Sequence, residues 1–400
     1  MFYDRPFDNL WENVRNNNFI LPVLPIAASR TNFLAPVSTE LSSFSGSNLN
    51  AGFPDLTLID PNLKNGRVYS YFAGVQQRVS GDLTLELNGL GSYGRRLITT
   101  DIVNRDFSLS TGRYNPNLPD IAYRAGQGFS DYNALAAVLR YRASRGMFQV
   151  TYTWSHAIDN QSEPLLGDFF NLNFTSIATT SSTIGRAAFS EEFNPQADRG
   201  DSDFDQRHNL VIFSYWNVPA LASRTKAAFL FRDWVVSELA AFRSGFPYTV
   251  LGTSTAIEGE GEILNNRPNL VGSPAVLAQP VAVSGGELLL NPGAFAPAAA
   301  STLGTLGRNA LIGPGFYNLD VSVARSVAVR RLGESTRVTI RASAFNVLNH
   351  ANLNNPDPVL TSPTFGIATF GRQGVPSGFP AVAPLNETPR QMQLSLKIEF

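Results

Sequence analysis

The stretch Arg390-Gln391-Met392-Gln393-Leu394-Ser395-Leu396-Lys397-Ile398-Glu399-Phe400 decides how this chain is read. Met392, Leu394, Leu396, Ile398 and Phe400 are apolar, and Gln391, Gln393, Ser395, Lys397 and Glu399 between them are polar. Successive side chains of a β-strand point to opposite faces, so the pattern predicts a strand with one apolar and one polar side. Its length matches the about 9–11 residues that a tilted strand needs to cross a bilayer. A strand of a soluble sandwich can carry the same pattern. This stretch alone leaves membrane and soluble readings open, and the rest of the chain has to separate them.

Working back toward the N-terminus, the same alternation recurs in pairs. Residues 316–330 and 335–348 form one predicted hairpin, with Leu319, Val321, Val323, Val327 and Val329 alternating with Asp320, Ser322, Ala324, Ser326 and Ala328. Residues 131–143 and 147–157 form another, turning at Ser144-Arg145-Gly146, with Phe148, Val150, Tyr152 and Trp154 opposite Gln149, Thr151, Thr153 and Ser155. Residues 67–79 and 82–97 form a third, joined at Ser80-Gly81. A fourth pair, 206–218 and 232–243, alternates less cleanly, because Leu210 to Phe213 are apolar without interruption. Residues 1–66 read as irregular, with room for a short helix at 7–14; Pro22 and Pro25 interrupt the apolar run around them and cannot donate to a ladder.

Nine strands result, and their connections sort into two classes. Short links join the members of three pairs and a medium one, 219–231, those of the fourth, while long ones (99–130, 158–205, 244–315 and 349–389) join one pair to the next and the last pair to the terminal strand. Structureless loops above about 12–15 residues are uncommon inside compact soluble domains. Bacterial outer-membrane barrels alternate in this way, with short periplasmic turns and longer extracellular loops. With Phe400 at the periplasmic rim, every short turn falls on the periplasmic side. The expected fold is therefore all-β: an antiparallel transmembrane β-barrel, here a partial one of about nine to ten strands in the bacterial outer membrane. Tyr69, Tyr71, Tyr93, Tyr141, Trp154 and Phe400 sit toward strand ends on the apolar side, as interfacial girdles do.

Composition sets the bounds. The formal charge is −1 with no basic stripe, which gives no case for a nucleic-acid partner. With no cysteine, disulfides and thiolate metal sites are excluded. No run approaches the about 20 apolar residues of a membrane helix, and the first ten residues, which carry Asp4, Arg5 and Asp8, do not read as a signal peptide.

Several motifs, in order, resemble one family: the C-terminal part of the barrel of TonB-dependent outer-membrane receptors of the Oar type. They are Phe2-Tyr3-Asp4-Arg5, Asp60-Pro61-Asn62-Leu63 leading to Gly74-Val75-Gln76, Asp203-Phe204-Asp205-Gln206-Arg207-His208-Asn209, Arg267-Pro268-Asn269-Leu270, Asn291-Pro292-Gly293-Ala294-Phe295, Leu306-Gly307-Arg308-Asn309, Gly313-Pro314-Gly315-Phe316, and Phe345-Asn346-Val347-Leu348-Asn349-His350. The resemblance implies a larger barrel of about 22 strands with a plug in its lumen, so this chain reads as the C-terminal portion of a longer receptor. Residues 1–66 are then an extracellular loop region with the end of a truncated strand, and 67–400 the C-terminal part of the barrel. The rival is a small complete barrel of ten strands. TonB would act only through an N-terminal part that this chain lacks. The implied function is uptake of an unidentified ligand across the outer membrane, without enzymatic activity or cofactor. The competing functions are a binding or adhesion barrel that transports nothing, and a soluble secreted β-rich enzyme.

For the residues, Gln149, Thr151, Thr153, Asp320, Ser322, Gln391, Gln393, Lys397 and Glu399 are expected to line the lumen. Met392, Leu394, Leu396, Ile398 and Phe400 are expected to face outer-membrane lipid, and they resemble the signal read by the barrel-assembly machinery. Asp198, Asp201, Asp203 and Asp205 have alternate spacing that would suit Ca²⁺, but a loop-ordering or surface role is preferred. His156, His208 and His350 lack the spacing of a metal motif and are expected to make loop hydrogen bonds.

Overall fold

A computed structural model describes residues 2–3, 56–104, 114–115, 121–162, 189–218, 233–252, 267–299, 302, 304–329, 336–370 and 389–400. The strands are β1 (Phe2–Tyr3), β2 (Leu56–Ile59), β3 (Arg67–Arg78), β4 (Leu83–Val103), β5 (Ile121–Ala143), β6 (Gly146–Asp159), β7 (Gly200–Asp201), β8 (His208–Asn217) and β9 (Trp234–Arg243). They continue with β10 (Pro247–Tyr248), β11 (Asn269–Leu270), β12 (Val276–Val283), β13 (Gly286–Leu290), β14 (Phe295–Ala296) and β15 (Leu311–Ile312). The last four are β16 (Phe316–Ala328), β17 (Arg337–Phe345), β18 (Ile367–Thr369) and β19 (Gln391–Glu399).

One large sheet runs in the order β1-β3-β4-β5-β6-β8-β9-β16-β17-β19, and every ladder along this path is antiparallel. Nine of these strands form the wall, each at the place its alternation predicts. Because hydrocarbon offers backbone groups no partner, neighbour-to-neighbour pairing of this kind is what lets strands span a bilayer. Among the described residues the order does not return on itself: β3 carries only the two residues of β1 on its outer side, and β19 ends the path. The chain passes from β3 to β4, β5 to β6, β8 to β9 and β16 to β17 at one end of the wall, and from β4 to β5, β6 to β8, β9 to β16 and β17 to β19 at the other, here called the upper end. At the tightest lower turn Ala143 pairs with Gly146. A Cβ on Gly146 would meet the carbonyl oxygen of Tyr215 at 2.3 Å, so only glycine lets β8 approach there.

The upper end departs from expectation. β4 continues past residue 97 to Val103, and β5 starts at Ile121 rather than 131. At 23 residues β5 is about twice as long as a crossing strand needs to be, so its upper half stands clear of the wall. Register shifts between Arg95 and Thr99, with Arg96 at φ 57°, let the hairpin continue beyond the level where β6 departs. Above Ser130, the place of β6 beside β5 is taken by β2, which pairs in parallel as Leu56↔Ile121 to Ile59↔Arg124. Residues 56–59 were expected to be irregular; the short apolar run Leu-Thr-Leu-Ile pairs because an unfilled strand edge is available. The helix expected at 7–14 lies outside the described residues.

The long connections also hold structure of their own. Small antiparallel ladders join β10 to β15, β11 to β14, and β12 to β13 to β18. They are concealed in sequence: β10, β11, β14 and β15 are two residues long and show no period, and the ladder of β12 to β13 is broken by a register shift between Val276 and Val281. They enclose a core of Tyr248, Val250, Leu290, Ala294, Phe295, Leu306 and Phe365. Burial raises the pKa of the Tyr248 phenol in this core.

Apart from Ala240, the buried apolar residues belong to this cap, to the upper parts of β4 and β5, or to residues 189 and 246–251. The wall itself contains no apolar interior. Phe295 and Phe365 meet edge to face at 5.4 Å in the cap core. Phe295→Ala should destabilise the cap by about 3–5 kcal/mol. Hydrogen exchange should show faster exchange in 246–312 with unchanged protection in β16, β17 and β19; equal loss in both would mean that cap and wall unfold together.

Candidate functional site

The register carries two faces across the whole wall. One face holds Tyr69 opposite Tyr93, Val75 opposite Leu87 and Leu135 opposite Trp154, and continues through Tyr152↔Leu210↔Phe242↔Tyr317. It ends at Ala344↔Met392, Ala342↔Leu394, Ile340↔Leu396 and Val338↔Ile398. Among the described residues no element packs over it: Leu394 is 82% exposed and Phe400 86%, and the extensive contacts between elements are all between hydrogen-bonded neighbours. A contiguous exposed apolar surface of this kind calls for a nonaqueous environment.

All nine residues expected in the lumen lie on the opposite face. Gln149, Thr151 and Thr153 continue through Phe213↔Leu239↔Asp320, Val211↔Ala241↔Asn318 and Asn209↔Arg243↔Phe316. Ser322↔Ser343↔Gln393, Thr339↔Lys397, Arg337↔Glu399 and Phe345↔Gln391 complete it. Gln149 accepts from Arg140 Nε at 3.0 Å and donates to Thr151 Oγ1 at 3.3 Å. Asp320 accepts from Asn318 Nδ2 and the Asn346 amide, both at 2.9 Å, the Ser322 and Ser237 hydroxyls lie 2.7 Å apart, and Lys397 Nζ donates to Glu399 at 2.6 Å. Val211, Phe213, Leu239 and Ala241 interrupt this face. That is the physical content of the weak alternation at 206–243: both sides of β8 and β9 carry apolar residues.

Above the wall, three motifs that lie far apart in sequence converge. Arg308 donates to Asp159 Oδ1 at 2.8 Å, to Ser162 Oγ at 2.7 Å and to Asp203 Oδ1 at 3.5 Å. Arg267 donates to Asp198 Oδ1 at 2.8 Å, and Asp198 also accepts from the Ser190 amide and hydroxyl. Asn309 Nδ2 donates to Asp203 Oδ1 at 2.5 Å, and the Thr249 hydroxyl donates to Asn309 Oδ1 at 2.9 Å. Asp159, Asp198, Asp203, Arg267 and Arg308 are all buried. This clamp ties the connection after β9 to the connection after β6. Backbones also meet closely there: a Cβ on Gly200 would lie 2.7 Å from the Arg308 carbonyl oxygen. The acidic cluster therefore orders loops, one of the two roles its sequence left open, and Asp198, Asp203 and Asp205 are buried rather than on the surface. The partners Arg267, Arg308 and Asp159 were not foreseen, because their separations of 69 to 149 residues leave no local signal.

Beside the clamp, His156, Asp201 and Asp205 bring three possible metal-ligand atoms within 4.8 Å of one another. A cation already sits among them. Arg207 donates to Asp205 Oδ2 at 2.5 Å and Asp201 Oδ2 at 2.9 Å, and its Nη2 lies 2.8 Å from His156 Nε2. Desolvation lowers the pKa of Arg207, but the hydrogen bonds and charges of Asp205 and Asp201 outweigh it and hold the value above the ordinary one. With the guanidinium in that position the residues do not fit a metal ion. His208 Nδ1 lies 2.8 Å from the Tyr152 hydroxyl and His350 Nδ1 2.6 Å from that of Tyr317. All three histidines thus make hydrogen bonds near the upper strand ends.

Removing one partner of a buried ion pair strands the other charge. Arg308→Gln should therefore cost about 3–5 kcal/mol, read as a lowered thermal midpoint and new protease cleavage within 244–315. The exposed Arg199→Gln should change neither; equal behaviour of the two variants would deny the clamp its role.

Three solved structures show what the chain is similar to. The outer membrane transporter YddB from Escherichia coli matches at a TM-score of 0.43 and 12% identity, over 86% of this chain and 34% of its own. The ferric preacinetobactin receptor BauA from Acinetobacter baumannii matches at 0.38 and 10%, over 84% and 30%. The FrpB iron transporter from Neisseria meningitidis matches at 0.38 and 8%, over 86% and 32%. The chain spans about a third of the length of these proteins. No curated protein matches its sequence. The family described as outer membrane beta barrel domain matches residues 1–393, and with an antiparallel wall that bears its apolar side outward and uncovered, this chain belongs to that family and to the bacterial outer membrane.

Proposed function

We propose that the chain is the C-terminal part of the barrel of a TonB-dependent receptor, of the Oar type, that takes up a ligand across the outer membrane. The observation that carries this reading is the open wall: nine paired strands, apolar on one face, whose terminal strands β3 and β19 do not pair with each other among the described residues. Unpaired backbone along a strand edge is costly in hydrocarbon, so these edges call for further strands of a larger barrel. The face bearing Gln149, Thr151, Thr153, Asp320, Ser322, Gln391, Gln393, Lys397 and Glu399 lines its lumen. The connections of the upper end are extracellular and form the vestibule that meets the ligand. The plug and the TonB-engaging segment belong to a part of the receptor N-terminal to these residues, and TonB acts only through that part. In cells carrying the complete receptor, accumulation of a labelled ligand should stop when the TonB-engaging segment is deleted. Continued accumulation would overturn energised transport and leave an adhesion or binding barrel.

Two further results test the membrane arrangement. The chain has no cysteine, so single cysteines can be placed cleanly. A bimane label at Leu394→Cys should be quenched by nitroxide carried on lipid tails, and one at Gln393→Cys should not; equal quenching would refute the two-faced wall. Phe400 and its alternating partners form the strand read by the barrel-assembly machinery. Deleting Phe400 from the complete receptor should lower its outer-membrane level severalfold, as in kinetic competition between assembly and degradation of a slowly inserting barrel. An unchanged level in a quantitative membrane blot would exclude that role.

A further inference from the structure

At the upper end of the apolar face, β3 and β4 place two arginines directly opposite each other: Arg67 pairs with Arg95. Like charges facing each other across a ladder repel, so the arrangement needs compensation. Arg95 has it, being bonded to the Asp131 carboxylate and to the carbonyl oxygens of Gly94 and Ser130. Arg67 has no carboxylate partner among the described residues, and its Nε is shielded from solvent without a hydrogen-bond acceptor. Among the described residues one positive charge of the pair is therefore without a carboxylate.

The surroundings fix where these guanidinium groups lie. Arg67 sits over the ring of Tyr69 at 5.5 Å and Arg95 over that of Tyr93 at 5.8 Å. Below them the rings of Tyr71 and Tyr93 stack at 6.0 Å, and both hydroxyls donate to Asn133 Oδ1. Tyrosines are enriched at the membrane interface, where their amphipathic rings sit at the level of the headgroups. Both arginines thus lie on the lipid-contacting face, at the height of lipid headgroups. A planar guanidinium fork over an aromatic ring suits phosphate oxygens, which it can engage with two parallel hydrogen bonds.

We propose that Arg67 and Arg95 bind the phosphate group of an outer-leaflet lipid, whose acyl chains lie along the apolar face of β3 and β4 below Tyr71. The anion supplies the missing counter-charge between the two guanidinium groups. This rests on the reading that the face meets lipid, and not on transport.

The test uses the complete receptor in detergent micelles, with native mass spectrometry reading the binding of a diphosphorylated glucosamine-based lipid and of the same lipid after phosphatase treatment. The wild-type receptor should bind the phosphorylated lipid about tenfold more tightly than the dephosphorylated one, and Arg67→Gln should lose about that factor. Arg341→Gln, on the opposite face, should bind as wild type. Unboiled electrophoresis checks that each variant keeps its folded migration. Equal binding by wild type and Arg67→Gln, indifference to the phosphate, or displacement of the lipid by millimolar inorganic phosphate would each overturn the proposal. If the label at position 394 is quenched by lipid while Arg67→Gln binds normally, only this inference falls; an unquenched label removes the lipid-facing reading with it.

Discussion

A strand inside hydrocarbon has no water to satisfy its amides and carbonyls, so each must pair with a neighbouring strand along the full crossing. The wall from β3 to β19 answers to that constraint. It is continuous, antiparallel and in steady register, and the only shifts in it fall between Arg95 and Thr99, at the level where β4 and β5 rise above β3 and β6. Side-chain chemistry follows from the same geometry. With pairing in the plane of the sheet settled, one face is free to be largely apolar, and Met392, Leu394, Leu396 and Ile398 are exposed with no element packed over them among the described residues.

The upper end obeys the opposite rule. Phe295, Phe365, Tyr248 and Leu290 turn inward and form a closed core, as in any water-soluble fold. The chain therefore changes its solvent between the wall and the cap, and the apolar side chains change direction with it. Asp159, at the last residue of β6, marks this boundary, and it is also where Arg308 arrives from the far side of the cap.

The clamp around Arg308 and Arg267 gives the cap its fixed position. Buried ion pairs contribute little net stability, because the desolvation of both charges offsets most of their attraction. Their value here is directional. Asp203 accepts from both Arg308 and Asn309, and Asp198 from both Arg267 and Ser190, so a cap docked one residue out of place would bury unmatched charges. A cap held in one register presents one defined surface at the upper end of the wall.

The alternation of 390–400, 316–330 and 131–157 determined the strands, their faces and the sorting of short from long connections, because a period of two is a local signal that each strand carries for itself. Where both faces are apolar, as in 206–243, that signal weakens and the strand limits blur. The two-residue ladders of the cap, the docking of 56–59 onto β5 and the partners of Asp198 and Asp203 were decided only by the tertiary structure. These contacts join residues tens to more than a hundred positions apart, and a carboxylate in a sequence looks the same whether it will face water, a metal ion or a guanidinium. Composition shows which charges exist; only the folded chain brings Arg207 to His156 and Asp205 and settles that the cation among them is an arginine.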